Sequence, residues 1–276
     1  MADQLKVLVT GASSGIGRST AIEFARRGDI VFAAARREEV LAELAAATPG
    51  IRALAMDVSD PSSVDQAWAK ILADTGGAGV DVLVNNAGFA LSGPVEVLPG
   101  TEVRRQFDTN VFGLLKVTQA ALPTMRARGR GRIINISSVV GRTAFAGMGV
   151  YSASKYAVEA LSDALRQEVA GFGIKVILIE PGFVATGIGE AGNQHGEADE
   201  AVPEAYAEMV KSGAKYLAEQ IAKGIRPEQV AVTIADAARR KNPRDRYAVP
   251  FSARLMIGLF TSIPTRVADD LKRRAA

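Results

Sequence analysis

The sequence predicts an α/β fold in which one doubly wound, parallel sheet of seven strands carries helices on both faces. Three observations predict it. Short β-branched runs alternate with longer stretches of helical periodicity, which is how successive βαβ units read. Strand runs such as Val80-Asp81-Val82-Leu83-Val84 are apolar almost throughout, as burial of both faces demands. No Pro/Gly/Ser-rich linker or solenoid-length repeat divides the 276 residues, so a single domain over 1–276 is expected.

In chain order, strands are expected at Lys6–Thr10, Ile30–Ala35, Arg52–Met56, Val80–Val84, Arg132–Ser137, Lys175–Glu180 and Tyr247–Val249. Helices fall between them at 16–27, 38–47, 61–74, 101–128, 151–171 and 227–241. Two segments break the alternation. Residues 187–225 form an insertion with Gly187, Gly189, Gly192 and Gly196 in its first part and a helical pattern from Glu204 to Lys223 in its second. It is too long for a plain αβ loop and reads as a substrate lid, whose Tyr206, Met209, Val210, Tyr216, Leu217 and Ile221 close over an apolar ligand. The tail 251–276 mixes Leu255, Met256, Ile257, Leu259 and Phe260 with a basic end, Lys272-Arg273-Arg274, and is either a packing arm or a weak membrane-surface helix.

Composition narrows the chemistry. Hydrophobic residues at 48% and charged residues at 23% describe a globular chain. Zero cysteines exclude disulfides, thiolate catalysis and iron–sulfur clusters, and a lone histidine, His195 in the insertion, gives no basis for a metal site. The net charge of +3 is spread among acids, so no nucleic-acid partner is expected. Met1–Lys6 lacks a signal-peptide pattern, and the apolar stretch Leu255–Ile263 is too short to span a bilayer of about 30 Å. A soluble, cytoplasmic protein is expected.

The first strand runs through Thr10-Gly11-Ala12-Ser13-Ser14-Gly15-Ile16-Gly17 directly into a helix. Glycines at 11, 15 and 17 let the backbone turn tightly and approach a pyrophosphate, whose charge then meets the free N–H groups of a helix N-terminus. This makes the fold Rossmann-type. The adenosine ribose in such sites is usually held by an acid at the end of the second strand, yet Ala35 is followed here by Arg36-Arg37. Two guanidinium groups suit a 2′-phosphate, so NADP(H) is expected in preference to NAD(H), with Arg36 the better candidate.

Tyr151-Ser152-Ala153-Ser154-Lys155 opens a helix, which puts Tyr151 and Lys155 at i and i+4 on one face. A nearby ammonium stabilises a phenolate, so Lys155 is expected to lower the Tyr151 pKa and make it a general acid/base. Ser138, at the carboxyl end of the fifth strand, lies where open α/β sheets bind ligands, and its hydroxyl can polarise a substrate carbonyl.

Taken together, Gly11, Gly15 and Gly17, Asn85-Asn86-Ala87-Gly88, Asn110, Ser138, Tyr151-x-x-x-Lys155 and Pro181-Gly182-x-x-x-Thr186 resemble the short-chain dehydrogenase/reductase family in order and spacing. The resemblance covers residues 5–190. It implies strand order 3-2-1-4-5-6-7, an NAD(P) cofactor and a tetrad of Asn110, Ser138, Tyr151 and Lys155. It implies further that Ser13, Ser14 and Ile16 lie in the phosphate turn and that Asp57 and Val58 contact the adenine. Asn86, Ala87 and Gly88 would flank the ribose, and Pro181, Gly182, Val184 and Thr186 the nicotinamide. Asn110 would hold a water that links Lys155 to solvent.

The apolar Phe89, Phe145, Met148 and Phe183 suggest a greasy pocket for a bulky lipophilic carbonyl or alcohol, and the extended chain resembles the hydroxysteroid and retinol dehydrogenase branch. A 3-oxoacyl-type ketoreductase and a non-catalytic NADP(H)-binding sensor are the alternatives. By the same resemblance a homodimer or homotetramer is expected, joined through Val111, Leu114, Leu115 and Thr118 on one long helix and Ala157, Leu161 and Leu165 on the other.

Overall fold

The computed structural model describes residues 4–186 and 202–275, the last two as backbone alone. His195 and the glycine-bearing part of the insertion lie outside the described residues. Seven parallel strands, β1 (Lys6–Thr10), β2 (Ile30–Ala35), β3 (Ile51–Ala55), β4 (Val82–Asn85), β5 (Gly131–Ile136), β6 (Ile174–Pro181) and β7 (Arg246–Val249), form one sheet in the order β3-β2-β1-β4-β5-β6-β7. The order reverses between β1 and β4, and ligands of open α/β sheets bind at such a reversal, outside the carboxyl ends of the strands.

Alternation along each strand divides the core. Val7 and Val9 face α1 (Gly15–Arg26), α2 (Glu38–Ala47) and α8 (Pro227–Arg239), packing with Phe24, Leu41, Leu44, Val230 and Ile234. Leu8 faces the other way, toward α3 (Pro61–Asp74) and α5 (Leu114–Ala127), with Trp68, Ile71, Val117 and Met125. Leu8 and Phe24 are wholly buried, and truncating such a side chain to Ala costs about 2–5 kcal/mol. Helix starts follow local chemistry. Asp60 accepts from Ser62 N at 2.9 Å ahead of Pro61, and Gln229 Oε1 reaches back to Arg226 N at 3.2 Å ahead of Pro227. The buried Asp29 carboxylate, in the α1–β2 turn, is gripped at 2.6 Å by Arg239 of α8 and accepts from Leu5 N at 2.9 Å.

The expected helix 101–128 is not continuous. It is α4 (Gly100–Phe107), a π-helical segment Asp108–Gly113, and then α5. Gly113 closes this wider turn where a Cβ would stand 2.7 Å from Val58 O, so only glycine fits there. Helix α6 (Gly149–Glu168) starts two residues before the expected 151 and stops three short of 171, where the chain enters a 3₁₀ turn at Ala170–Phe172. The later part of the insertion forms α7 (Glu204–Ala222), none of whose residues is fully buried. The tail folds as α9 (Phe251–Ser262) and α10 (Thr265–Ala275). Ala253 and Ile257 pack against Val139, one residue past Ser138, so α9 is a packing arm for the segment that carries this serine.

Candidate active site

At the end of β1 the backbone turns through Gly11 and Gly15 at φ +66° and +53°. A Cβ on Gly17 would stand 2.3 Å from Gly11 O and 2.4 Å from Asn86 Nδ2, so only glycine fits. Ser14 caps α1 without a side-chain bond, which leaves the first-turn N–H groups directed outward for an anion. The methyl of Thr186 lies 3.1 Å from where a Gly15 Cβ would be, placing the segment after β6 against this turn. A cradle of close backbone at a helix N-terminus fits a dinucleotide.

Asn86 helps build that cradle: its Nδ2 donates to Thr10 O at 2.9 Å, while Thr10 Oγ1 accepts from the N–H groups of Asn86 and Ala87, each at 3.0 Å. Its amide is therefore engaged in holding β4 to the turn. Gly88 lies against Asn110 and Lys155, where its missing Cβ would stand 2.9 Å from Asn110 Oδ1 and 3.7 Å from Lys155 Nζ. Asp57 Oδ1 accepts from Ser59 N and Oγ at 2.9 and 2.6 Å, shaping the turn that carries the buried Val58. Arg37 Nη2 donates to Ser13 Oγ at 3.0 Å, whereas the Arg36 side chain is exposed and has no partner among the described residues. Glu38 and Glu39 line the same surface depression as these two arginines. Buried Pro181 ends β6, Gly182 N bonds Val249 O at 2.8 Å, and Val184 is buried in a bridge to Ile225.

Tyr151, Ser138 and Lys155 come together behind this cradle. Burial pushes the Tyr151 phenol up to about 12, opposed by a hydrogen bond with Ser138. The net shift is upward, the opposite of the lowering that Lys155 was expected to bring. The Lys155 Nζ stands 5.8 Å from the Tyr151 ring centre and donates to Ile136 O at 2.9 Å, and burial pulls its own pKa down to about 8, opposed by the Glu159 charge. Asn110 is buried in the π segment with its amide fully engaged: Oδ1 accepts from Phe89 N at 3.1 Å, and Nδ2 donates to Phe89 O and Ser154 Oγ at 3.0 Å. Its side chain braces the segment that leaves β4.

Of the expected pocket aromatics, Phe89 belongs to the interior with Leu91 and Val150, under the guanidinium of Arg105. Phe145 meets Phe260 of α9 edge-on at 5.9 Å, Phe183 meets Tyr216 of α7 at 6.3 Å, and Met148 caps α6, half-buried. Sequence reasoning missed a buried polar chain beside the site: Asn85 Nδ2 donates to Thr118 Oγ1 and to Asn135 Oδ1, both at 2.9 Å, and Asn135 Nδ2 donates to Ser162 Oγ at 2.8 Å. The signal was available in two asparagines that interrupt otherwise apolar strands.

A seven-stranded, doubly wound sheet with a glycine turn and a buried Tyr–Ser–Lys group defines a dinucleotide-type α/β protein. The chain matches the short chain dehydrogenase family over residues 5–197 and belongs to it; it is an oxidoreductase of the short-chain dehydrogenase/reductase family, whose members bind NAD(P). It is 38% identical over 244 residues to the 3-ketodihydrosphingosine reductase of Bacteroides thetaiotaomicron, covering 88% of this chain and 87% of the relative. It is 36% identical to the NADPH-dependent 3-dehydrocapnine reductase of Ornithobacterium rhinotracheale, covering 96% and 94%. It is also 34% identical to mouse (Mus musculus) retinol dehydrogenase 16, covering 96% and 86%. A short-chain dehydrogenase from Streptomyces avermitilis superposes with a TM-score of 0.80 at 37% identity over 94% and 92% of the two chains. A serine dehydrogenase complexed with NADP+ gives 0.75 at 30% identity over 90% and 96%. A family member from Burkholderia phymatum in complex with NAD gives 0.80 at 26% identity over 93% and 92%.

Proposed function

We propose that the protein interconverts a ketone or aldehyde with the corresponding alcohol, using NADP(H) and acting on a bulky lipophilic substrate. The observation that carries the reading is the buried Tyr151 phenol, hydrogen-bonded with Ser138 and on the same helix face as Lys155. The glycine turn with Ser13, Ser14, Ile16, Asp57, Val58, Asn86, Ala87, Gly88, Pro181, Gly182, Val184 and Thr186 would hold the cofactor, which when bound supplies or takes the hydride. In reduction the Tyr151 phenol, kept protonated at neutral pH by burial, gives its proton to the carbonyl oxygen, and Ser138 orients that oxygen through its hydroxyl. The Lys155 ammonium stabilises the phenolate left behind. In oxidation the same phenolate takes the alcohol proton.

Support for NADP(H) comes from the missing acid at the end of β2 and from Arg36 and Arg37, set against the neighbouring Glu38 and Glu39. Support for a lipophilic substrate comes from the Phe145–Phe260 and Phe183–Tyr216 contacts and from relatives named for ketodihydrosphingosine and retinol. The deciding experiment is a carbonyl panel running from short keto esters to retinal and 3-ketodihydrosphingosine, with NADPH and NADH in parallel. A charge-assisted bidentate contact is worth roughly 1.5–3 kcal/mol, so NADPH should be favoured by about one to two decades in kcat/KM, and Arg36→Ala should remove much of that preference. Equal efficiency with both cofactors contradicts the NADP(H) assignment, and a preference for the short esters contradicts the substrate class.

Three further readings belong to the same proposal: the chain is one domain with 187–225 as a substrate lid, it works in the cytoplasm, and it assembles as a homodimer or homotetramer. No helix among the described residues is long and apolar enough to cross a membrane. The exposed Phe251, Leu255 and Leu259 recur every fourth residue on α9 beside Arg254, which supports weak attachment of the tail to a membrane surface.

A further inference from the structure

One helical turn beyond Lys155 lies a cluster of charged groups for which the chemistry above has no use. Arg246, the first residue of β7, sits at its centre. Its Nε is 3.0 Å from Glu159 Oε2 and 3.4 Å from Glu180 Oε1, and its Nη2 is 2.6 Å from Asp163 Oδ2. Glu180 of β6 is also held by Arg142 at 3.2 Å. Asp163 is also held by Arg166 at 2.9 Å, and Arg166 stands 3.9 Å from Asp245. Glu159 and Glu180 are 6% and 4% exposed. Burying two carboxylates around one guanidinium gives little stability that apolar residues of the same shape could not give, so the cluster calls for another account.

The charges supply one. Among the described residues, Glu159, Glu180, Asp163 and Asp245 share three guanidiniums, those of Arg142, Arg166 and Arg246. Glu180 and Asp163 each have a second arginine, whereas Glu159 has only its share of Arg246. Its Oε1 is buried without a hydrogen-bond partner. Lys155 lies at i−4 on the same helix, and the Glu159 charge favours its ammonium against the effect of burial. The same spot also bears on Ser138. A Cβ on Gly141 would stand 2.7 Å from Ser137 Oγ, 3.2 Å from Lys155 O and 3.3 Å from Glu159 Cγ, so the strand end that presents Ser138 is packed directly on this turn of α6.

We propose that Glu159 is a positioning residue that acts through Lys155: its carboxylate, anchored by Arg246, is the counter-charge of the Lys155 ammonium. This rests on the reading that the ammonium serves Tyr151. The test follows the Lys155 side chain by NMR in lysine-labelled enzyme, its resonance assigned with Lys155→Arg, in the parent and in Glu159→Gln, Glu159→Asp and Arg246→Gln. Removing the carboxylate charge should lower the Lys155 titration midpoint by about one pH unit, and the basic limb of the kcat profile for reduction should move down with it. Glu159→Asp keeps the charge and should restore both. Arg246→Gln removes a competing cation and should raise the midpoint, a shift opposite in sign that a purely structural role for the cluster does not produce. A midpoint unmoved in both Gln variants overturns the inference. Because the NMR readout needs no turnover, a parent enzyme inactive on every carbonyl would sink the proposed function while the midpoints still decide this point.

Discussion

Tyr151 and Lys155 are both buried, and burial drives their ionisation in opposite directions, the phenol up to about 12 and the amine down to about 8. Reduction needs a protonated Tyr151, which this arrangement supplies throughout the neutral range. Its rate should therefore stay level from pH 6 and fall as Lys155 loses its proton, with an apparent midpoint near 8. Oxidation needs the phenolate and should rise with pH over the same range. Profiles of kcat in both directions check this, and parallel profiles would contradict the proton bookkeeping. Tyr151→Phe keeps the ring and removes the proton, so turnover should drop by about 10² to 10⁴ with the fold intact by circular dichroism. Lys155 has a second consequence. A lysine with a depressed folded pKa destabilises the protein below that value, and the cost fades as pH climbs from about 8 toward 10.5. Lys155→Met should therefore raise stability at pH 7 by about 2 kcal/mol, after loss of the bond to Ile136 O, with the gain vanishing above pH 10. Denaturant unfolding at the two pH values measures it.

The π-helical segment and α7 are the elements where the local pattern departs from regularity. The wide turn at Asp108–Gly113 carries Asn110 inward to pair with both backbone groups of Phe89. Asn110→Ala leaves the buried Phe89 N–H unpaired, whereas Phe89 O keeps its bond from Gln106 Nε2, and should cost about 1–3 kcal/mol in unfolding free energy, with turnover lost through movement of the β4 end. Helix α7 is held more lightly: Tyr206 Oη bonds Glu96 Oε2 at 2.5 Å, and Tyr216 rests on Phe183. Such lightly covered contacts are worth about 1 kcal/mol or less each, which suits the opening and closing that the proposed lid role asks of α7. Tyr206→Phe should change KM for bulky ketones a few-fold while leaving that for small ketones and cofactor affinity alone; a uniform change would make α7 structural.

At the level of the whole molecule, the seven residues expected to join subunits divide: three are spent inside one, and Leu115, Ala157, Leu161 and Leu165 are half-buried. Val111, Leu114 and Thr118 are buried in the monomer, whereas Phe112 and Tyr156, on the segments that bear Asn110 and Lys155, are 58% and 45% exposed. If the proposed assembly forms across these segments, Phe112→Glu should shift mass at micromolar concentration toward monomer. An unshifted mass would move the interface elsewhere.

Sequence by itself determined the seven strands, the glycine turn, the Ser138–Tyr151–Lys155 group and through them the family. Strand burial, turn chemistry and an i, i+4 pair are local properties that spacing records directly. Tertiary structure alone decided what depends on residues far apart in the chain. Gly113 must be glycine because it approaches Val58 O, and Asn110 serves Phe89 because the π turn carries its amide inward. Glu159, Glu180, Arg142 and Arg246 read as scattered charges until β6, β7 and α6 bring them together. The ionisation of Tyr151 and Lys155 is likewise set by desolvation, a property of everything packed around a group, which no spacing of residues encodes.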